Sequence, residues 1–257
     1  MEIHTTRKRP GRTFEAADIQ LHARRRKRSI GVEVPSPDWA ASNVTGNGVA
    51  AGDYAKVRMG ALTFTDDMRP GDVLLLSGRG VLEERLQRHL CSPWNQTAIV
   101  ISWNERIVVL ESTSRPVCPD LTTGCLRTGV QVVAAEDKLE RYNGKIALRQ
   151  LTPSLSHRQV QLLTEFATRM WGRPFNTSPY YSARALHRRN HPGTHRRFFC
   201  TELVASAYQH IGVLDLPPNG RCESNYAPPD FAADTQSLSL KPDHSFGPQT
   251  FLTPESS

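Results

Sequence analysis

The chain has 257 residues, 38% of them apolar, and a formal net charge of +7 at pH 7. That length and apolar content supply one sizeable core with extensions rather than two full domains, and no run approaches the roughly 18 to 20 continuous apolar residues of a membrane span. The five cysteines, Cys91, Cys118, Cys125, Cys200 and Cys222, are odd in number and unevenly spaced. No CxxC pair suggests zinc or a redox dithiol, so they read as free thiols of a reducing compartment.

The first residues lack an apolar h-region and carry Glu2, Glu15 and Asp18, which reads as neither a signal nor a transit peptide. The expected location is cytoplasmic, with the basic run Arg24 to Arg28 as a nuclear address in the alternative. Residues 1–60 mix Arg, Gly, Ser, Asn and Pro without apolar periodicity, and are expected to form a disordered basic tail. A folded domain over 61–236 and a C-terminal tail over 237–257 complete the expected organisation.

From Arg69 the pattern changes. RPGDVLLLSGRG frames the apolar run Val73 to Leu76 between turn signals, which predicts a short buried strand. VLEERLQRHL follows, with Leu82, Leu86 and Leu90 at every fourth position of a helix. TAIVISW and RIVVLES, parted by Asn104 and Glu105, predict a hairpin, and GVQVVA and GKIALRQL two further strands. SHRQVQLLTEFATRMWG predicts an amphipathic helix closed by Gly172 and Pro174. A polar, basic loop leads into FFCTELVASAYQHIG, a helix whose face is Val204, Ala207, Tyr208 and Ile211. This order implies an α+β domain with an antiparallel sheet packed against helices.

Cys200 opens that last helix, where free N–H groups and the macrodipole favour a thiolate, and Arg196 and Arg197 lie close in sequence. A small buried residue beside Phe198 and Phe199 is the plainer alternative. His187, His191 and His195 are spaced four apart, but Pro192 and Gly193 break any helix that would align them, so no metal site is expected. The five arginines from Arg184 to Arg197 fit either a solvated loop or a site for an acidic or phosphorylated ligand. Nucleic acid is the weaker reading of the charge.

Several pieces in order, RPGDVLLLSGRG, SPWNQTAIV, VVLES, WGRPF, FFCTELVASAYQHIGVL and NYAPPDFAAD, resemble the permuted papain-like cysteine amidases, the YiiX/YaeF-like branch of the NlpC-type superfamily. The resemblance spans about residues 69–235. It implies a circularly permuted papain-like fold in which Cys200 is the nucleophile, Glu111 the acid that orients a catalytic His, and Gln96 the occupant of that His position. Trp94, His195 and Arg197 are the expected substrate contacts, and no cofactor is implied. A Gln amide has no usable proton affinity near neutral pH and cannot serve as general base.

Two readings therefore stand open. One is a thiol hydrolase or acyltransferase acting on an amide- or ester-containing small molecule, peptide or lipid. The other is a catalytically inactive relative that keeps the cleft as a ligand- or partner-binding module.

Overall fold

The computed structural model describes residues 65–177, 193, 195–233 and 238–252, all within the compact unit Val49–Ser257. The expected disordered tail lies outside the described residues, as does most of the polar, basic loop before Cys200.

The expected α+β architecture is present. Strand β1 (Val73–Gly78) is followed by helix α1 (Val81–Leu90), then β2 (Gln96–Trp103), β3 (Arg106–Thr113) and β4 (Gly129–Ala134). Helix α2 (Ala135–Arg141), β5 (Gly144–Arg149), β6 (Leu151–Thr152), α3 (His157–Met170) and α4 (Cys200–His210) come next. A 3-10 turn (Glu223–Asn225), α5 (Pro228–Ala232), β7 (Ser245–Phe246) and β8 (Thr250–Phe251) complete the described order.

The main sheet runs β4-β3-β2-β1-β5-β8 with every neighbouring pair antiparallel. Asn104 and Glu105 take φ values of 49° and 62°, the left-handed pair that a two-residue hairpin needs to match strand twist. Period-two alternation then sorts side chains onto two faces. Leu75, Ile99, Ile101, Leu110 and Val132 point to one layer with Leu163 and Phe166 of α3 and Leu203 and Val204 of α4. Leu74, Leu76, Ala98, Val100, Val109 and Val133 point to the other, where Ala135 and Leu139 of α2 pack with Cys118.

Two elements depart from the expected pattern. AAEDKLERY, between two predicted strands and given no element of its own, forms α2 and lays Ala135, Lys138 and Leu139 against the sheet. Part of the expected C-terminal tail joins the fold: β8 pairs with β5 at the sheet edge, β7 pairs with β6, and Leu252 is buried. Thr250 and Phe251 bond to a strand that would otherwise present an open edge, which rewards their ordering.

The two principal helices differ in how their starts are held. Helix α3 has a full capping box: Ser156 Oγ accepts from the Gln159 N–H and Gln159 Oε1 accepts from the Ser156 N–H. Helix α4 has Phe199 at its N-cap, with no capping oxygen, and only the returning half of that box, Glu202 Oε2 accepting from the Phe199 N–H at 3.3 Å. Its first nine residues, Cys200 to Tyr208, are all buried. Tertiary packing, rather than a strong cap, fixes where α4 begins.

Candidate functional site

Where β1 and β3 end and β2 begins, the sheet borders a cavity of ≈ 310 Å3. Cys200 reaches it from the first position of α4, Gln96 from the first position of β2, and Ser112 and Thr113 from the end of β3. Asn95 and Tyr142 add polar groups, while Leu82, Leu86, Val117 and Phe175 form an apolar wall. Glu83 of α1 and Arg115 after β3, both in the lining, form an ion pair at 2.8 Å. Arg115 is largely exposed, so solvent screening leaves this pair little stabilising weight.

The alternation of β2 separates the two residues at its start. Gln96 belongs to the face that carries α2, and there its Nε2 donates to Glu111 Oε2 at 3.0 Å. Thr97 belongs to the face that carries α4, and its Oγ1 is buried without a hydrogen-bond partner among the described residues. Burial pushes the Cys200 thiol up, and the nearby main-chain N–H groups of Thr97 and Thr201 oppose that rise without overcoming it. The depression expected from Arg196 and Arg197 does not arise: both side chains are exposed, and neither contributes to the shift.

Glu111 is wholly buried, and its carboxylate is fully engaged. Gln131, its cross-strand neighbour on β4, donates Nε2 to Oε1 at 2.9 Å. Lys138 of α2 donates Nζ to Oε2 at 2.7 Å, beside the Gln96 contact. Glu111 and Lys138 are thus a desolvated ion pair with further hydrogen bonds, the only form in which two buried charges are tolerated. Lys138 Nζ also sits 4.9 Å from the centre of the Tyr142 ring. Burial, aided by the charge of Glu111, pushes the Tyr142 phenol well up, so it stays a protonated donor at the cavity.

The structure brings Cys200, Gln96 and Glu111 to one place, the first two lining the cavity and the third bonded to Gln96. It does not bring the expected substrate contacts there. Trp94 is buried in the core beside Phe251, their ring centroids 6.0 Å apart, because β8 covers the sheet edge at that point. His195 turns to Glu223, with Nε2 to Oε1 at 3.0 Å, and stacks on Phe198. Arg197 faces solvent. No His lines the Cys200 cavity among the described residues.

Lys138, Gln131, Thr97 and Tyr142 are the site residues that sequence reading missed. A Lys between Ala135 and Leu139 in a short amphipathic stretch is the one signal that pointed to a buried cation. Among the described residues, no group of three or more His, Cys, Asp or Glu is arranged to hold a metal ion. Of the Arg184 to Arg197 loop, only 193 and 195–197 are described. No helix among the described residues is long and apolar enough to cross a membrane.

The sequence matches no protein-family model and no curated protein. Among solved structures, the crystal structure of metalloprotein yiiX from Escherichia coli O157:H7 is similar at 20% identity and a TM-score of 0.41, over 57% of this chain and 69% of that one.

Proposed function

We propose that the domain is a permuted papain-like fold of the YiiX-like kind whose Cys200 cavity binds an amide- or ester-bearing ligand without papain-type turnover. The observation that carries this reading is the saturated Glu111 carboxylate. In a cysteine hydrolase the acid at this place orients an imidazole that takes the thiol proton and returns it to the leaving group. Here Gln96 and Lys138 occupy that acid, one as a neutral donor and the other as a fixed cation. The positive charge that an imidazolium would carry is supplied by an ammonium, and the proton relay is gone. The Cys200 thiol, raised by burial, is mostly protonated at neutral pH.

The lining suits a neutral ligand with one apolar part. Asn95, Gln96, Ser112, Thr113 and the Tyr142 phenol offer amide and hydroxyl groups, with Leu82, Leu86, Val117 and Phe175 opposite in character. A cavity of ≈ 310 Å3 matches the lower end of small-molecule sites.

A second reading, a slow thiol hydrolase or acyltransferase, is favoured by one specific feature: Cys200 stays at a helix N-terminus, where the Thr97 and Thr201 main chains favour its thiolate. Assays of purified protein against panels of p-nitrophenyl esters and peptide or acyl anilides separate the two. Binding without Cys200-dependent product supports the first reading. Product release that disappears in Cys200→Ser supports the second and removes the first.

A further inference from the structure

On the side of α4 away from the cavity lining, a second group of ionisable residues remains outside the proposed chemistry. Glu202, in the first turn of α4, is 1% exposed, and among the described residues its buried Oε1 has no hydrogen-bond partner. Glu223, in the 3-10 turn that packs on α4, accepts on its Oε1 from the Gly193 N–H at 2.6 Å and contacts His195 Nε2 at 3.0 Å. A Cβ placed on Gly193 would meet Glu202 Oε1 at 2.1 Å and Glu223 Oε1 at 2.8 Å, so both carboxyl groups crowd one backbone methylene. Two buried carboxylates that crowd one backbone position are costly to ionise together. The orphaned Oε1 is the atom where the cost is relieved by a proton.

We propose that His195, Glu202 and Glu223 form a pH-responsive latch at the N-terminus of α4, which with Glu202 protonated holds the 195–199 segment on the helix start and loosens when that proton leaves. The segment is mechanically tied to the Cys200 cavity. The Phe198 carbonyl accepts from Ser112 Oγ at 2.8 Å, and Phe199 packs edge-on against Phe175 in the cavity wall, centroids 5.5 Å apart. The latch does not depend on what that cavity binds.

The titrations agree in sign. Burial raises the Glu202 carboxyl from 4.5 to about 7, with the facing Glu223 adding to the rise, so its contribution declines as pH climbs toward and past neutrality. The Glu223 hydrogen bond raises the His195 imidazole, whose contribution is present below its ordinary value and lost as pH rises through the raised one. Glu223 is held low despite its burial by the His195 bond and the Gly193 N–H, so its contribution is present above 4.5 and lost only in stronger acid. Arg173 also faces His195 and opposes its protonation, and Cys222 lies beside Glu223. The latch is therefore tightest in mildly acidic solution and has lost most of the Glu202 contribution by neutrality.

Amide hydrogen exchange of the peptide covering 195–203, corrected for intrinsic rates, tests this on the full chain at pH 6 and pH 8, with and without EDTA. The wild type should lose about ten-fold in protection between the two, the factor set by a carboxyl moving from 4.5 to about 7. Glu202→Gln, which keeps an acceptor for the Phe199 N–H, should lose most of that pH dependence, while the 157–170 peptide of α3 stays constant in both proteins. His195→Gln, which leaves the α4 core intact, should lower protection at pH 6 more than at pH 8. An unchanged wild-type segment, or a Glu202→Gln protein with the wild-type slope, overturns the proposal. Loss of protection on adding EDTA at pH 6 also overturns it, since a divalent cation would then be filling the place assigned to the proton.

Discussion

Two buried glutamates flank the start of α4, and they are neutralised in different ways. Glu111, on the sheet face that carries α2, is met by the Lys138 ammonium at 2.7 Å and by two Gln amides. Glu202, on the helix itself, is in no ion pair among the described residues and faces a second carboxylate, and burial pushes its carboxyl up to about 7. The first arrangement neutralises its carboxylate with an ammonium in direct contact, joined by amide donors. The second does so with a proton that comes and goes near neutrality. The same local cost, a carboxylate removed from water, yields a rigid cavity floor in one place and a titratable hinge in the other.

Breaking the first arrangement should cost most. Lys138→Met leaves Glu111 buried and uncompensated, and is expected to lower unfolding free energy by about 3–5 kcal/mol in urea titrations at pH 7. Adding Glu111→Gln in the same protein should recover a large part of that loss, because the stranded charge disappears. A double variant as unstable as the single one would mean that Lys138 acts mainly by packing along its stem.

Gln96→His tests the chemical meaning of the same network. An imidazole at position 96, in the lining of the Cys200 cavity, should raise the iodoacetamide labelling rate of Cys200 at pH 7 by roughly a hundred-fold or more, the ratio between a largely ionised thiol and one that burial keeps almost wholly protonated. Labelling must be followed by peptide mass mapping, since Cys91 and Cys125 are exposed and react as well. No change would show that Lys138 keeps Glu111 from orienting the new ring.

At the second arrangement, Glu202→Gln should gain about 1.4 kcal/mol relative to wild type on going from pH 6 to pH 8, measured by urea titration at each pH. Ser156→Ala, remote from both clusters, should lose about 1 kcal/mol at both values, since a hydroxyl cap does not titrate in this range. A similar pH slope in both variants would remove the contrast between the two regions.

Much of this frame was legible before folding was considered. The Asn104–Glu105 hairpin, the Ser156 helix start and the placement of Cys200 at the head of α4 follow from turn chemistry and periodicity. The pairing of Gln96 with Glu111 followed from the resemblance. Lys138 did not, because α2 is only seven residues long and its meaning lies in a contact 27 residues away in sequence. Nor did Trp94, whose exposure was decided by Phe251, a residue of the presumed tail. His195, an expected substrate contact only five residues before Cys200, is held elsewhere by Glu223. Short sequence separation limits reach; it does not set the direction of a side chain.

The central claim, a cavity with a thiol but no proton relay, is tested most directly by the pH profile of Cys200 alkylation in the wild-type chain, read by peptide mass mapping. The account predicts a rate that is low at neutral pH and climbs without a plateau to or beyond the ordinary thiol range near 8.5. A plateau of fast alkylation below pH 7 would mean that an ion-paired thiolate exists at Cys200, and would contradict it.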